Sequence, residues 1–261
     1  MTLHFDKYQG TGNDFILLDN TSNAYDNLSI NQIKLLCDRK YGIGADGLIL
    51  IQRHRDFDFE MIYYNADGTQ SFCGNGSRCA VLYAAKIGLL TSSQTHFVAI
   101  DGPHDAWLCQ DEVKIKMSDV QPIQCLDNAF VIDTGSPHYV LLDDNHNASH
   151  VEEVGRRIRY SDNYKAAGIN VNLLEIGQKH IRVATYERGV EHETLSCGTG
   201  VTGAALVYAH IAQILEGKIP VHTKGGPLMV EWKYNKDQTF SDVYLIGPAH
   251  FVFKGTYEFK G

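Results

Sequence analysis

Two hydrophobic periods run along this chain, and the order in which they alternate occurs twice. Residues 13–19 and 138–142 have the dense apolar and β-branched content of strands. A polar stretch and an amphipathic helix follow each. The first helix opens near Ser29, spaces Ile30, Ile33, Leu36 and Cys37 at helical intervals, and is expected to stop at Gly42. Its counterpart opens near Ser149 and sets Val151, Val154 and Ile158 on one face. Strands are predicted next at 43–51 and 57–64 in the first half, and at 171–176 and 181–186 in the second. A strongly apolar helix then closes each series, at 75–87 before Gly88 and at 199–215 before Gly217. Further short strands at 113–117, 227–232 and 243–246 complete a mixed α+β fold.

The matching order reflects an internal duplication. Cys73-Gly74-Asn75-Gly76-Ser77-Arg78-Cys79-Ala80 aligns with Cys197-Gly198-Thr199-Gly200-Val201-Thr202-Gly203-Ala204 at a separation of 124 residues. Upstream, Thr11-Gly12-Asn13 meets Thr134-Gly135-Ser136 at 123, and Leu17-Leu18-Asp19 meets Leu141-Leu142-Asp143 at 124. Gly44 and Asp46 meet Gly168 and Asn170 at 124, while Tyr63-Tyr64-Asn65 meets Thr185-Tyr186-Glu187 at 122. Two pseudo-symmetric domains are therefore expected, 1–118 carrying Cys73 and 119–250 carrying Cys197, with a C-terminal strand at 251–261 packing on the first.

Duplication changes the meaning of the two cysteines. A lone thiol is most often a small buried hydrophobe. At a helix start, however, unpaired N–H groups and the helix dipole favour the thiolate, and flanking glycines let an anion approach the exposed amides. Two related halves facing each other would oppose two such thiols across one small ligand. Inversion of a stereocentre requires that arrangement: one group takes the α-proton and the other returns a proton to the opposite face.

Composition narrows the partners. Lys and Arg total 23 against 31 Asp and Glu, a formal charge of −8, which opposes extended contact with nucleic acid or anionic lipid and leaves a small molecule as the expected ligand. No apolar run reaches the ~18 residues of a membrane span, and Met1-Thr2-Leu3-His4-Phe5-Asp6 lacks the regions of a signal peptide, so the cytoplasm is the expected location. Six cysteines without CxxC or HxxxH spacing suggest thiols rather than a zinc site.

Three segments carry a family resemblance over the whole length: Gly10-Thr11-Gly12-Asn13-Asp14-Phe15; Asn65-Ala66-Asp67-Gly68 leading to the Cys73 motif; and Tyr186-Glu187-Arg188-Gly189 leading to Glu193-Thr194-Leu195-Ser196 and the Cys197 motif. In these the chain resembles the diaminopimelate epimerases. The resemblance implies interconversion of LL- and meso-2,6-diaminoheptanedioate in lysine and peptidoglycan precursor synthesis, without pyridoxal phosphate or metal, by Cys73 and Cys197 as acid and base. It also implies barrel-like sheets around central helices and a homodimer. Gly74, Asn75, Gly198 and Thr199 would hold the reacting carboxylate; Asn13, Asn65, Asn170, Glu187 and Arg188 would bind the substrate; His138 and Glu187 would tune the thiols. Two departures stand out: Ser136 occupies a position where many members carry asparagine, and the 189–194 loop is one residue longer than usual. Alternatives are a proline or hydroxyproline racemase, a carboxylate-binding module without catalysis, and a redox protein using Cys73 and Cys197 as a functional disulfide.

Overall fold

A computed structural model describes residues 2–110 and 112–259. The chain forms two compact units, Met1–Ile115 with Gly247–Gly261, and Lys116–Ile246. The first runs β1 (Thr2–Gly10), β2 (Asn13–Asp19), α1 (Ile30–Cys37), β3 (Gly47–Gln52), β4 (Phe59–Asn65), α2 (Gly74–Lys86), β5 (Gln94–Ala99), β6 (Gly102–Cys109) and β7 (Glu112–Lys116). The second runs β8 (Gln124–Cys125), β9 (Ala129–Asp133), β10 (Pro137–Leu142), α3 (Ala148–Arg159), β11 (Asn170–Ile176), β12 (Ile181–Glu187), β13 (His192–Thr194), α4 (Gly198–Ile211), β14 (Glu216–Thr223), β15 (Gly226–Tyr234) and β16 (Phe240–Pro248). Finally β17 (His250–Glu258) returns to pair with β1 in the first unit. Of the expected strand 251–261, residues 260 and 261 lie outside the described residues.

Strand pairing repeats between the units. β2 is antiparallel to β1 and parallel to β3, β3 is antiparallel to β4, β4 parallel to β5, and β5 antiparallel to β6. In the same order β10 is antiparallel to β9 and parallel to β11, β11 is antiparallel to β12, β12 parallel to β14, and β14 antiparallel to β15. Each unit is thus a mixed sheet from one pattern. Both middle strands are covered on both faces, which is why they read as continuous apolar runs. Ile16, Leu18, Leu48 and Leu50 pack with Ile33, Leu36 and Cys37 of α1, leaving Phe15, Leu17, Ile49 and Ile51 to the α2 face by strand alternation. In the second unit Val171 and Leu173 pack with Val151 and Val154 of α3, and His138, Val140, Asn172 and Leu174 face α4. Helix α2 lies against β1, β2, β3, β4 and β6; α4 lies against β9, β10, β11, β12, β14 and β15. These are the central helices. Among the described residues, no helix is long and apolar enough to cross a membrane.

Several expected boundaries move. Helix α1 ends at Cys37 rather than Gly42, because the Asp38 carboxylate accepts from the Lys40 and Tyr41 amides and the Ile43 and Gly44 N–H groups both return to Leu36 O. Residues 43–46 therefore form a turn, and the strand starts at Gly47. Helix α4 stops at Ile211; Gln213 takes φ 54° and Gly217 lies inside β14, opposite Trp232.

Candidate active site

Both motif cysteines are N-caps. Cys73 sits in extended backbone (φ −137°, ψ 111°) before α2, and its Sγ accepts from the Gly76 N–H at 3.4 Å. Cys197 takes nearly the same conformation (φ −118°, ψ 111°) before α4. Cys73 Sγ therefore lies on an amide of the first turn of a buried helix, whereas the Cys197 side chain makes no such cap hydrogen bond. Cys79, one and a half turns along α2, differs: burial pushes its thiol up to about 12, so it stays neutral.

Around Cys73 the polar contacts are amides. Its Sγ lies 3.7 Å from Asn13 Oδ1, which also accepts from Asn75 Nδ2 at 3.4 Å. Asn13 donates its own amide to Asp46, which joins Asp14, Arg39 and buried Lys7 in a charged cluster. Burial alone would raise Asp14; Arg39 and Lys7 outweigh it and hold the carboxyl at about 2. Arg78 is fully buried on α2, donating to Pro248 O at 3.2 Å and Thr11 Oγ1 at 2.9 Å, and its Nη1 has no hydrogen-bond partner among the described residues. These links were invisible in sequence, because Asn13 and Asp46, Asp14 and Arg39, and Thr11 and Arg78 stand dozens of positions apart.

Around Cys197 the contacts are hydroxyls and an imidazole. Thr199 Oγ1 lies 3.5 Å from Cys197 Sγ, 2.9 Å from His138 Nε2 and 3.2 Å from Ser136 Oγ. Ser136 Oγ is 3.0 Å from the same His138 nitrogen and accepts from Asn170 Nδ2 at 3.2 Å. Ser136 is therefore the hub that the sequence marked only as a departure. His138 is wholly buried; burial first, and the Arg188 charge second, push its imidazole down to about 3, so the ring is neutral at pH 7. Beneath it lie Asn172 and Thr185, which sequence reading passed over. The period-2 polar pair Asn170 and Asn172 inside an apolar strand was the available signal.

The remaining residues divide between the two units. Asn65 is held at the end of β4, donating to Thr69 and accepting from Ser71 Oγ at 3.2 Å. Asn170 Oδ1 accepts from the Arg188 N–H at 2.9 Å, which sets Arg188 and Glu187 at the end of β12. Arg188 is exposed, and its Nη1 donates to Ala167 O at 3.1 Å. The long loop after it is secured by Glu191, which accepts from the Gly189 N–H and the Tyr186 hydroxyl.

A mixed sheet duplicated in two units, each with a central helix, is a fold that recurs among solved structures. The same architecture occurs in a PhzF-family phenazine biosynthesis protein of Bacillus anthracis (TM-score 0.75, 14% identity, covering 99% of this chain and 100% of that one). It occurs also in a hydroxyproline epimerase of Agrobacterium vitis (TM-score 0.67, 12% identity, 98% and 92%). At such identities the likeness is one of fold. Sequence goes further: the diaminopimelate epimerase family profile matches residues 5–122 and again 130–252. The diaminopimelate epimerase of Flavobacterium psychrophilum is 43% identical over 96% of this chain and 98% of its own, and that of Chlorobaculum tepidum 38% identical over 95% and 98%. This chain belongs to the diaminopimelate epimerase family.

Proposed function

We propose that the chain interconverts LL- and meso-2,6-diaminoheptanedioate by a two-base mechanism without a cofactor, with Cys73 and Cys197 as the bases. One thiolate takes the α-proton and becomes a thiol. The other thiol gives its proton to the opposite face of the carbanion and becomes a thiolate. Net change is inversion at one carbon, with S–H and S⁻ exchanged between the two residues. The observation that carries this reading is the equivalence of the two cysteines: each caps a central helix in the same extended backbone, on two units with the same strand pairing. A single-nucleophile or binding role calls for only one such helix start.

The carbanion requires stabilisation at its carboxylate, and the first amides of α2 and α4, at Gly74, Asn75, Gly198 and Thr199, are suited to it. Arg188 offers a planar fork for the distal carboxylate, which a proline ring lacks. Asn13, Asn65, Asn170 and Glu187 supply the remaining polar groups, and His138 and Glu187 tune the thiols. The family resemblance supports a homodimer in the cytoplasm as the working form.

The test is incubation of LL-diaminopimelate in deuterium oxide, with L-proline and hydroxyproline in parallel. Deuterium should enter the α-carbon of diaminopimelate alone, and should be lost in Cys73→Ala and Cys197→Ala. Epimerisation at the native rate by either variant would sink the two-base reading.

A further inference from the structure

The two units differ most where their strand registers make them equivalent. Phe15 pairs with Gly47 as His138 pairs with Asn170, so Ile49 matches Asn172; Ile49 then pairs with Tyr63 as Asn172 pairs with Thr185. Three buried positions under the cysteine-capped helix are thus Phe15, Ile49 and Tyr63 in one unit and His138, Asn172 and Thr185 in the other. The first set packs as apolar and aromatic side chains, with Phe15 edge-on to Tyr63 at 5.8 Å. Packing alone therefore needs no polar group here. The polar set carries the cost of burying an amide and an imidazole, offset by their hydrogen bonds.

The directions of those bonds can be read in sequence. Asn172 Nδ2 lies 3.3 Å from the Tyr139 carbonyl, which only accepts, and this fixes the amide with its nitrogen on that side. Asn172 Oδ1 accordingly accepts from Thr185 Oγ1 at 2.9 Å. The same Nδ2 is 3.0 Å from His138 Nδ1, which must be the acceptor and so carries no proton. The ring proton of neutral His138 is then on Nε2, between Ser136 Oγ and Thr199 Oγ1. Asn170 donates into Ser136, Ser136 and His138 can donate into Thr199, and the Thr199 hydroxyl hydrogen is left for Cys197 Sγ. Every donor points the same way, and such chains polarise one another.

We propose that Asn172 is a positioning residue that fixes His138 as the Nε2–H tautomer, so that the imidazole acts as a hydrogen-bond donor toward the Thr199 hydroxyl and, through it, Cys197. The inference deepens the epimerase reading and rests on it for its catalytic consequence. Gly200 bears on the same point: a Cβ there would stand 2.4 Å from Asn172 Oδ1, so the helix start is shaped around the amide.

Long-range ¹H–¹⁵N spectra of His138 test this directly on the full chain, with assignment by His138→Gln. Wild type should show a pyrrole-like Nε2 and a pyridine-like Nδ1. Asn172→Asp, whose carboxylate can only accept from Nδ1–H, should protonate Nδ1, and Asn172→Leu should give a mixture of tautomers. Both should lose at least about tenfold in kcat on LL-diaminopimelate, the scale of losing a partner that orients a histidine, with KM changed far less. A pyridine-like Nε2 in the wild type would overturn the proposal, as would an unchanged His138 spectrum in Asn172→Asp. Absence of turnover by the wild type would instead overturn the epimerase reading, with the tautomer still visible.

Discussion

Gly76 and Gly200 are the same residue of the duplicated motif, yet alanine should affect them in opposite directions. In α2 a Cβ on Gly76 would meet Ile49 Cδ1 at 3.3 Å, Cys73 Cβ at 3.4 Å and Met61 Cε at 3.4 Å. Two of these are flexible side-chain ends that can yield a few tenths of an ångström. The helix gains up to ~1 kcal/mol from replacing glycine by alanine, so Gly76→Ala should be near neutral or slightly stabilising. In α4 a Cβ on Gly200 would meet Asn172 Oδ1 at 2.4 Å, His138 Cε1 at 3.2 Å and Thr185 Oγ1 at 3.2 Å. Asn172 is tied on both ends of its amide and cannot move without breaking a buried bond. Overpacking of this kind costs roughly 1–3 kcal/mol, against the same propensity gain. A contact of 2.4 Å puts the cost at the upper end of that range, so the net loss of about 2 kcal/mol corresponds to a fall in Tm of roughly 4–8 °C for a chain of this size. Scanning calorimetry on both variants measures it. Equal Tm changes for the two, or an unaltered Gly200→Ala, would refute the view that the polar set under α4 is rigid.

Proton linkage supplies two further expectations. His138 is depressed to about 3 in the fold against an ordinary value near 6.5, so the unfolded chain binds a proton that the folded chain excludes. Its contribution is intact above pH 6.5 and is lost as pH falls toward 3; denaturant titrations at pH 7.5 and 5.5 should show roughly 1 kcal/mol less decline in His138→Gln than in wild type. For Asp14, held at about 2 by Arg39 and Lys7 against burial, stabilisation is present above its unfolded value near 4 and disappears as pH falls toward 2. Asp14→Asn, which leaves buried Lys7 without that carboxylate, should therefore be strongly destabilised at pH 7, by up to about 3 kcal/mol, with the gap from wild type closing between pH 4 and 2.

What sequence made legible was local or repeated. Cysteine followed by glycine at the mouth of an apolar run is a helix-start signal within eight residues, and its second occurrence at 124 residues marked the two as equivalent. Strands β2, β3 and β11 were legible because burial on both faces leaves no polar interruption. Helix ends were less so: Gly42 and Gly217 looked like stops, but the Asp38 carboxylate ends α1 earlier, and Gln213 at positive φ ends α4. Least legible were the polar groups under the helices. Asn172 reads as an interruption of a strand, and nothing near it in sequence names His138 and Thr185 as its partners. Arg78 inside an apolar helix gives no sign that its hydrogen bonds go to Thr11 and Pro248.

Divergence beneath two equal helix starts has a chemical logic. A base that must be thiolate in one direction of a reversible reaction and thiol in the other is poorly served by a fixed cation, which favours one state. A rotatable hydroxyl suits both: Thr199 can donate to the sulfur when Cys197 is ionised, and accept from it when Cys197 is protonated, passing its own hydrogen to Ser136 Oγ 3.2 Å away. His138 remains a donor throughout, because its other nitrogen is committed to Asn172. The hydroxyls switch and the imidazole does not. At Cys73 the sulfur lies against the side-chain amide of Asn13, with Asn75 and the buried guanidinium of Arg78 around that helix start. Exchange of the two environments, by placing asparagine at Ser136 or leucine at Asn172, should therefore lower kcat/KM in both directions by the same factor, because their ratio is the equilibrium constant between epimers, which no enzyme can shift.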